Sequence, residues 1–210
     1  MSLNNYQIKV LAAILMLVDH VGAIFFPTVG IFRVIGRFSF PLFIVLLVDG
    51  EQYTHNFRQY CLRLLVLGIA SQPIFGLLFP LSGWNILFTL LLGLFCLRLV
   101  RLFPRWQLLI WVLGSILAQV LSLEYGAYGL VAIALIHSLR TSIIWLAGWI
   151  ALHLGLLIFI PNFSNLQFLT VLAPLLLRFA NHQPGKKARW FYLFYPLHLL
   201  ILWLLSNSWL

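Results

Sequence analysis

The chain has 210 residues, 63% hydrophobic and 8% charged, with a mean hydropathy of +1.04. A soluble domain is about 45–50% apolar and about 25% charged, so this composition excludes one and predicts a polytopic helical membrane protein. The net charge of +9 does not point to nucleic acid, because the basic residues fall mostly at the ends of apolar stretches, where the positive-inside rule places them.

Hydropathy predicts an all-α bundle of about nine spans forming a single integral membrane domain over 1–210: about 8–26, 34–50, 60–79, 84–101, 106–123, 126–138, 142–160, 164–180 and 190–207. The sixth is short for a full crossing. The first is too long for a removable signal peptide and lacks a small-residue cleavage site. Arg58 and Arg63 follow the second span, Arg98, Arg101 and Arg105 the fourth, Arg140 the sixth, and Arg178, Lys186, Lys187 and Arg189 the eighth. The loops near Leu81, Ser122 and Asn162 carry no Lys or Arg, so the N-terminus is expected in the cytoplasm and the C-terminus outside.

The first span, KVLAAILMLVDHVGAIFFP, carries Asp19 and His20 near its middle. Ionisable groups at that depth are costly and mark functional sites. Lys9 precedes His20 by eleven positions, close to three turns, which puts both on one helix face roughly 16 Å apart, with Ala13 and Met16 between. Arg33 and Arg37 break the charge pattern by lying at the outer end of the second span. They pair with Asp19, hold an anionic group, or snorkel to headgroups. Pro41 shares their i, i+4 spacing and is expected to kink the helix at Arg37. Asp49 and Glu51 at the other end read as a solvated helix end near basic residues or as part of a site.

Pro73 frees the carbonyl of Ile69 in the third span. Asn85, Thr89 and Gly93, like Trp111, Ser115 and Gln119, form narrow polar stripes that suit helix packing better than substrate contact. Tyr125 and Tyr128 read as interfacial anchors. His137 and His153 read as hydrogen-bonded packing histidines, and Cys61 and Cys96 as small packing residues. In the last span Pro196 precedes His198, which lies at a depth similar to His20 on a helix of the same direction. The two imidazoles share one cavity, or His198 is satisfied by a neighbouring backbone carbonyl.

The histidines never take metal-ligand spacing, and neither a glycine-rich phosphate loop nor a G-x-S-x-G elbow is present. What remains is a buried imidazole in line with a cytoplasmic lysine, in a chain rich in arginine at its cytoplasmic side. That suits a long anionic cosubstrate such as coenzyme A, with phosphates at the surface and a thioester reaching inward. A neutral imidazole beside the thioester takes a proton from an attacking amine or hydroxyl.

The series DHVGAIFFP, RVIGRFSFPLF, DGEQYTHNFRQYCLRLL, SQPIF, WNILFTLLLG, EYGAYG and FYLFYPLHLLIL resembles the TraX family of conjugation proteins in the same order over about residues 6 to 205. The D-H-x-G, R-x-I-G-R-x-x-F-P and Y-P-x-H pieces carry the resemblance. The family's type member acetylates the N-terminus of the conjugative pilin subunit. The resemblance therefore implies an acetyl-CoA-dependent acetyltransferase of the bacterial inner membrane. The Lys9 to His20 spacing is also similar to the first-helix motif of the membrane acyltransferase 3 family, which uses that histidine as catalytic base. Arg98 and Arg101 match its R-x-x-R pattern. Lys stands here where Arg is common, and about nine spans replace ten.

The leading expectation is an acyltransferase with His20 as general base, aided by Asp19 and His198. Lys9, Arg98, Arg101, Arg58 and Arg63 bind cofactor phosphates, and Arg33, Arg37, Tyr195 and Asn85 line the inner site. The acceptor is a protein N-terminus, a sugar or a small molecule, and the partners are acyl-CoA and the lipid bilayer, with no metal and no nucleic acid. A proton-coupled transporter is the alternative, on its proline-broken helices and deep Asp and His. A structural assembly protein is a third.

Overall fold

The computed structural model describes residues 2–138, 143–159, 167–188 and 190–208. These are helical, with no strand among them beyond two isolated bridges. The helices are α1 (Asn5–Phe25), α2 (Gly30–Gly36), α3 (Ser39–Tyr53), α4 (Phe57–Leu78), α5 (Ile86–Leu102), α6 (Gln107–Val120), α7 (Gly126–Ser138), α8 (Ile143–Phe159), α9 (Ala173–Leu177) and α10 (Trp190–Ser208), with 3₁₀ turns at Pro104–Trp106 and Phe168–Leu172.

Among the described residues, four stretches are long and apolar enough to cross a bilayer: Asn5–Phe25, Gly30–Tyr53, Phe57–Leu78 and Trp190–Ser208. The 21 residues of α1 rise about 31 Å, matching a hydrocarbon core of about 30 Å. Helix α6, with 14 residues, rises only about 21 Å. Arg140 and Asn162 lie outside the described residues, as does Arg189.

Local chemistry sets the helix ends. Asn4 caps α1 in a reciprocal box. Its Oδ1 accepts from the Gln7 N–H and its own N–H donates to Gln7 Oε1, both at 3.0 Å. Pro27 stands two residues past the end of α1. The expected kink of the second span is a break between α2 and α3. Pro41 has no N–H for the Arg37 carbonyl, which accepts from Phe40 N at 3.4 Å instead.

The expected eighth span is not one continuous helix over its described residues. A 3₁₀ turn at Phe168–Leu172 leads into the five-residue α9. Pro174 cannot donate to the Thr170 carbonyl, which instead accepts from Trp149 Nε1 of α8 at 3.0 Å.

The chain divides into two compact units, the first Met1–Leu46 with Ser138–Phe191, the second Leu47–His137 with Tyr192–Leu210. In the first, α1 and α2 form a tight antiparallel hairpin, and α8 packs on the turn before α9. The N-terminal residues dock on the segment after α9. Leu3 N donates to Phe179 O at 2.6 Å, Asn181 N to Leu3 O at 2.9 Å and Asn5 N to Gln183 O at 2.7 Å. In the second, α5 packs between α4 and α6. The α6–α7 loop is tied to the start of α5 by Trp84 N to Ser122 O, Glu124 N to Trp84 O, and Thr89 Oγ1 to the Glu124 carbonyl.

Candidate functional site

In the first unit the D-H-x-G and R-x-I-G-R pieces interlock across the α1–α2 hairpin. A methyl group on Gly36 would stand 2.2 Å from Asp19 Cβ and 2.5 Å from its Cα, and one on Gly22 would stand 2.3 Å from Phe32 Cβ. Glycine at both positions lets the backbones approach closely. That approach delivers Arg33 and Arg37 to Asp19. Arg33 Nη1 lies 2.6 Å from Asp19 Oδ2 and also donates to the Asp19 carbonyl at 3.2 Å. Arg37 Nε lies 3.5 Å from Oδ1. Asp19 is 7% exposed. Of the readings open for the arginine pair, the geometry is that of ion pairing with Asp19. The three side chains sum formally to +1 in a unit whose sequence holds no other carboxylate.

His20 is 6% exposed and sits on the buried face of α1 with Ala13 and Met16. Lys9, three turns earlier, is half-buried with its Nζ 5.8 Å from the centre of the Phe191 ring. The docked loop brings Arg178, Lys186 and Lys187 to the same end of the unit, all exposed. Sequence reading counted these three for orientation and missed them as neighbours of the α1 N-terminus. The Leu3–Ala180 pairing that places them has no sequence signal.

In the second unit Glu51 and Asp49 are buried, 6% and 1% exposed, so the reading of a solvated helix end is corrected. Glu51 Oε1 lies 2.8 Å from Arg98 Nε and 3.6 Å from Arg101 Nη1. The Arg98 guanidinium also stacks 4.4 Å from the centre of the Phe57 ring. Arg98, expected at cofactor phosphate, is thus engaged on two sides, whereas the Arg101 side chain is 54% exposed. Arg58 and Arg63 are exposed on α4, Arg63 donating to Tyr192 Oη at 3.3 Å.

His198 is buried, and its Nδ1 lies 2.8 Å from the Phe194 carbonyl. A carbonyl only accepts, so Nδ1 carries a proton. The ring stacks on Phe194 and meets the buried Tyr195 edge-on at 5.5 Å. The backbone-carbonyl partner foreseen as one option is therefore present.

Asn85, expected at the inner site, is fully buried as a structural joint. Its Oδ1 caps α5 at Leu87 N, while Nδ2 donates to the Gly68 carbonyl and Gln72 Oε1, both at 2.9 Å. His153 of the first unit is fully buried, with Nδ1 on the Trp149 carbonyl at 2.8 Å and Nε2 on Thr170 Oγ1 at 2.7 Å. That is the packing role expected of it.

Comparison with known proteins agrees with the interlocked motifs. The chain is 28% identical over 234 aligned positions, covering 95% of this chain and 94% of its relative, to a Dichelobacter nodosus protein named "Probable fimbrial assembly protein FimC, serogroup H1". No solved structure matches. The family described as TraX protein matches residues 4–206, almost the whole chain and both units, and the chain belongs to that family.

Proposed function

We propose that this protein is an acetyltransferase of the bacterial inner membrane, with about nine membrane segments, an N-terminus in the cytoplasm and a C-terminus outside. It moves an acetyl group from cytoplasmic acetyl-CoA to an amine or hydroxyl acceptor. The observation that carries this reading is the pair of adjacent ionisable residues, Asp19 and His20, buried in the second half of a helix long enough to cross a bilayer, a turn or more inside its end. Membership of a family whose type member acetylates pilin supports the chemistry. The fimbrial-assembly name of the relative supports a pilin-like acceptor.

The chemistry divides among residues of the first unit. His20 takes the proton of the attacking amine or hydroxyl as the new C–N or C–O bond forms at the acetyl carbonyl. The same ring returns that proton to the sulfur as the C–S bond breaks, so the base is regenerated and the thiol leaves. Asp19, Arg33 and Arg37, held together with a formal charge of +1, favour negative charge developing on the carbonyl oxygen. Lys9, three turns from His20, fits a phosphate at the membrane surface. In the second unit Arg58, Arg63 and Arg101 are exposed cations and candidates for phosphate in their own right. Arg98 is a weaker one, because Glu51 holds its Nε.

The test is transfer of radiolabelled acetyl from acetyl-CoA to a peptide with a free N-terminus by the purified protein. His20→Gln is expected to lower the rate by roughly 10²–10⁴ while the protein still inserts and melts normally. Full activity in that variant overturns the assignment. Coenzyme A alone at about 100 times its Kd is expected to stabilise the protein by about 2.7 kcal/mol. A carrier of another solute would show no such effect.

A further inference from the structure

The first unit holds a groove of about 500 Å³ that the transferase reading does not use. Its walls are Leu11 and Leu15 of α1, Ile35 and Phe38 at the α2–α3 break, and Leu175 and Phe179 around α9, without a polar residue among its lining. Leu175, Phe179 and Ile35 are exposed along it, so the groove opens to the outside of the unit. Leu11 and Leu15 stand about 9 and 15 Å along α1 from Asn5. The groove therefore reaches from near the α1 N-terminus to about the depth of one leaflet of a bilayer whose core is about 30 Å thick.

At the shallow end the lining changes character within one residue, from Phe179 to Arg178. The segment that follows carries Lys186 and Lys187, and its backbone is held against Leu3 and Asn5 by three hydrogen bonds of 2.6–2.9 Å. Gly185, at φ +64°, packs on the Asn4 side chain. Three exposed cations thus lie on the segment docked at the shallow end of an apolar slot, and the one carboxylate of the unit, Asp19, is already held by Arg33 and Arg37. A slot of this size suits a slender chain. A helix about 10 Å across fills about 420 Å³ per turn, so hardly more than one turn would fit.

We propose that this groove binds one anionic phospholipid of the cytoplasmic leaflet, with an acyl chain along Leu11, Leu15 and Phe38 and its phosphate on Arg178, Lys186 and Lys187. The charge of the loop selects the anionic headgroup, and the apolar walls make the contact a site rather than adsorption to a charged surface. The choice of leaflet rests on the cytoplasmic N-terminus proposed above, whereas the site itself is independent of the acetyl-transfer chemistry.

Native mass spectrometry of the full-length protein in mild detergent tests it, with phosphatidylglycerol and phosphatidylcholine of identical chains as probes. The wild type is expected to retain one phosphatidylglycerol at least 10-fold more than phosphatidylcholine. Leu175→Trp, which fills the slot, and the triple change Arg178→Gln, Lys186→Gln, Lys187→Gln are each expected to lower that retention about 10-fold. Equal retention of the two lipids overturns the proposal. Retention that ignores Leu175→Trp overturns it in favour of surface adsorption, and displacement by glycerol phosphate overturns it in favour of a soluble phosphate ligand. Phosphatidylglycerol with a photoreactive group at its chain end supplies a measurement on the unaltered protein. Labelling is expected on α1 near Leu15 or at the α2–α3 break near Phe38, and labelling only elsewhere sinks the idea.

Discussion

Asp19→Asn separates the structural work of the buried cluster from its chemistry. The substitution keeps the shape of the side chain and removes the negative charge that faces Arg33 at 2.6 Å and Arg37 at 3.5 Å. Their side chains are 21% and 14% exposed, so water screens them poorly. Removing one partner of a buried pair costs about 3–5 kcal/mol, because a charge is left without compensation. Here two guanidiniums lose the single carboxylate of their unit. For a chain of this size about 1 kcal/mol moves Tm by about 2–4 °C, so even about 3 kcal/mol lowers it by about 6–12 °C. Arg33→Leu is expected to cost more than Arg37→Leu, since Arg33 makes the shorter contact and also donates to the Asp19 carbonyl. The assay is thermal unfolding in detergent followed by tryptophan fluorescence, beside a double-mutant cycle of Asp19 and Arg33. A Tm within 1 °C of wild type for Asp19→Asn, or no coupling in the cycle, refutes the reasoning.

Other substitutions probe the contacts that hold each unit. Gly36→Ala is expected to lower stability by about 1–3 kcal/mol or more, because its methyl group meets the Asp19 backbone, whereas Gly30→Ala, with nothing within 4 Å, is expected to melt like wild type. Asn85→Ala is expected to cost about 2–3 kcal/mol, from a lost cap and buried partners left without it, with the acetyl-transfer rate unchanged below the melting point. A selective loss of rate in a stable Asn85→Ala protein would return that residue to the site. Glu51→Gln is expected to cost about 2–3 kcal/mol, below the figure for a fully buried pair because the half-exposed Arg101 re-solvates, and urea or heat denaturation in detergent reads it.

Much of this protein is legible without coordinates. Apolar composition implies membrane helices, since a chain in lipid must satisfy its backbone internally. The break after Arg37 follows from the missing N–H of Pro41, and the shared face of Lys9, Ala13, Met16 and His20 follows from helical periodicity. Each of these is a local property, acting within a few turns of one helix.

Which face of a helix looks inward is another matter. Lipid tails are as apolar as a packed core, so the alternation that marks the buried side of a soluble helix is weak here. Tertiary structure alone decided that Asp19 takes both Arg33 and Arg37 and that Glu51 is buried against arginines of α5. It alone decided that Asn85 is consumed by the joint between α4 and α5, and that the loop carrying Arg178, Lys186 and Lys187 closes on the first turn of α1. These pairings join residues from 13 to about 180 positions apart, and no helical period reaches that far. A charge in an apolar stretch announces that it must have a partner, and only the packing of the helices says which.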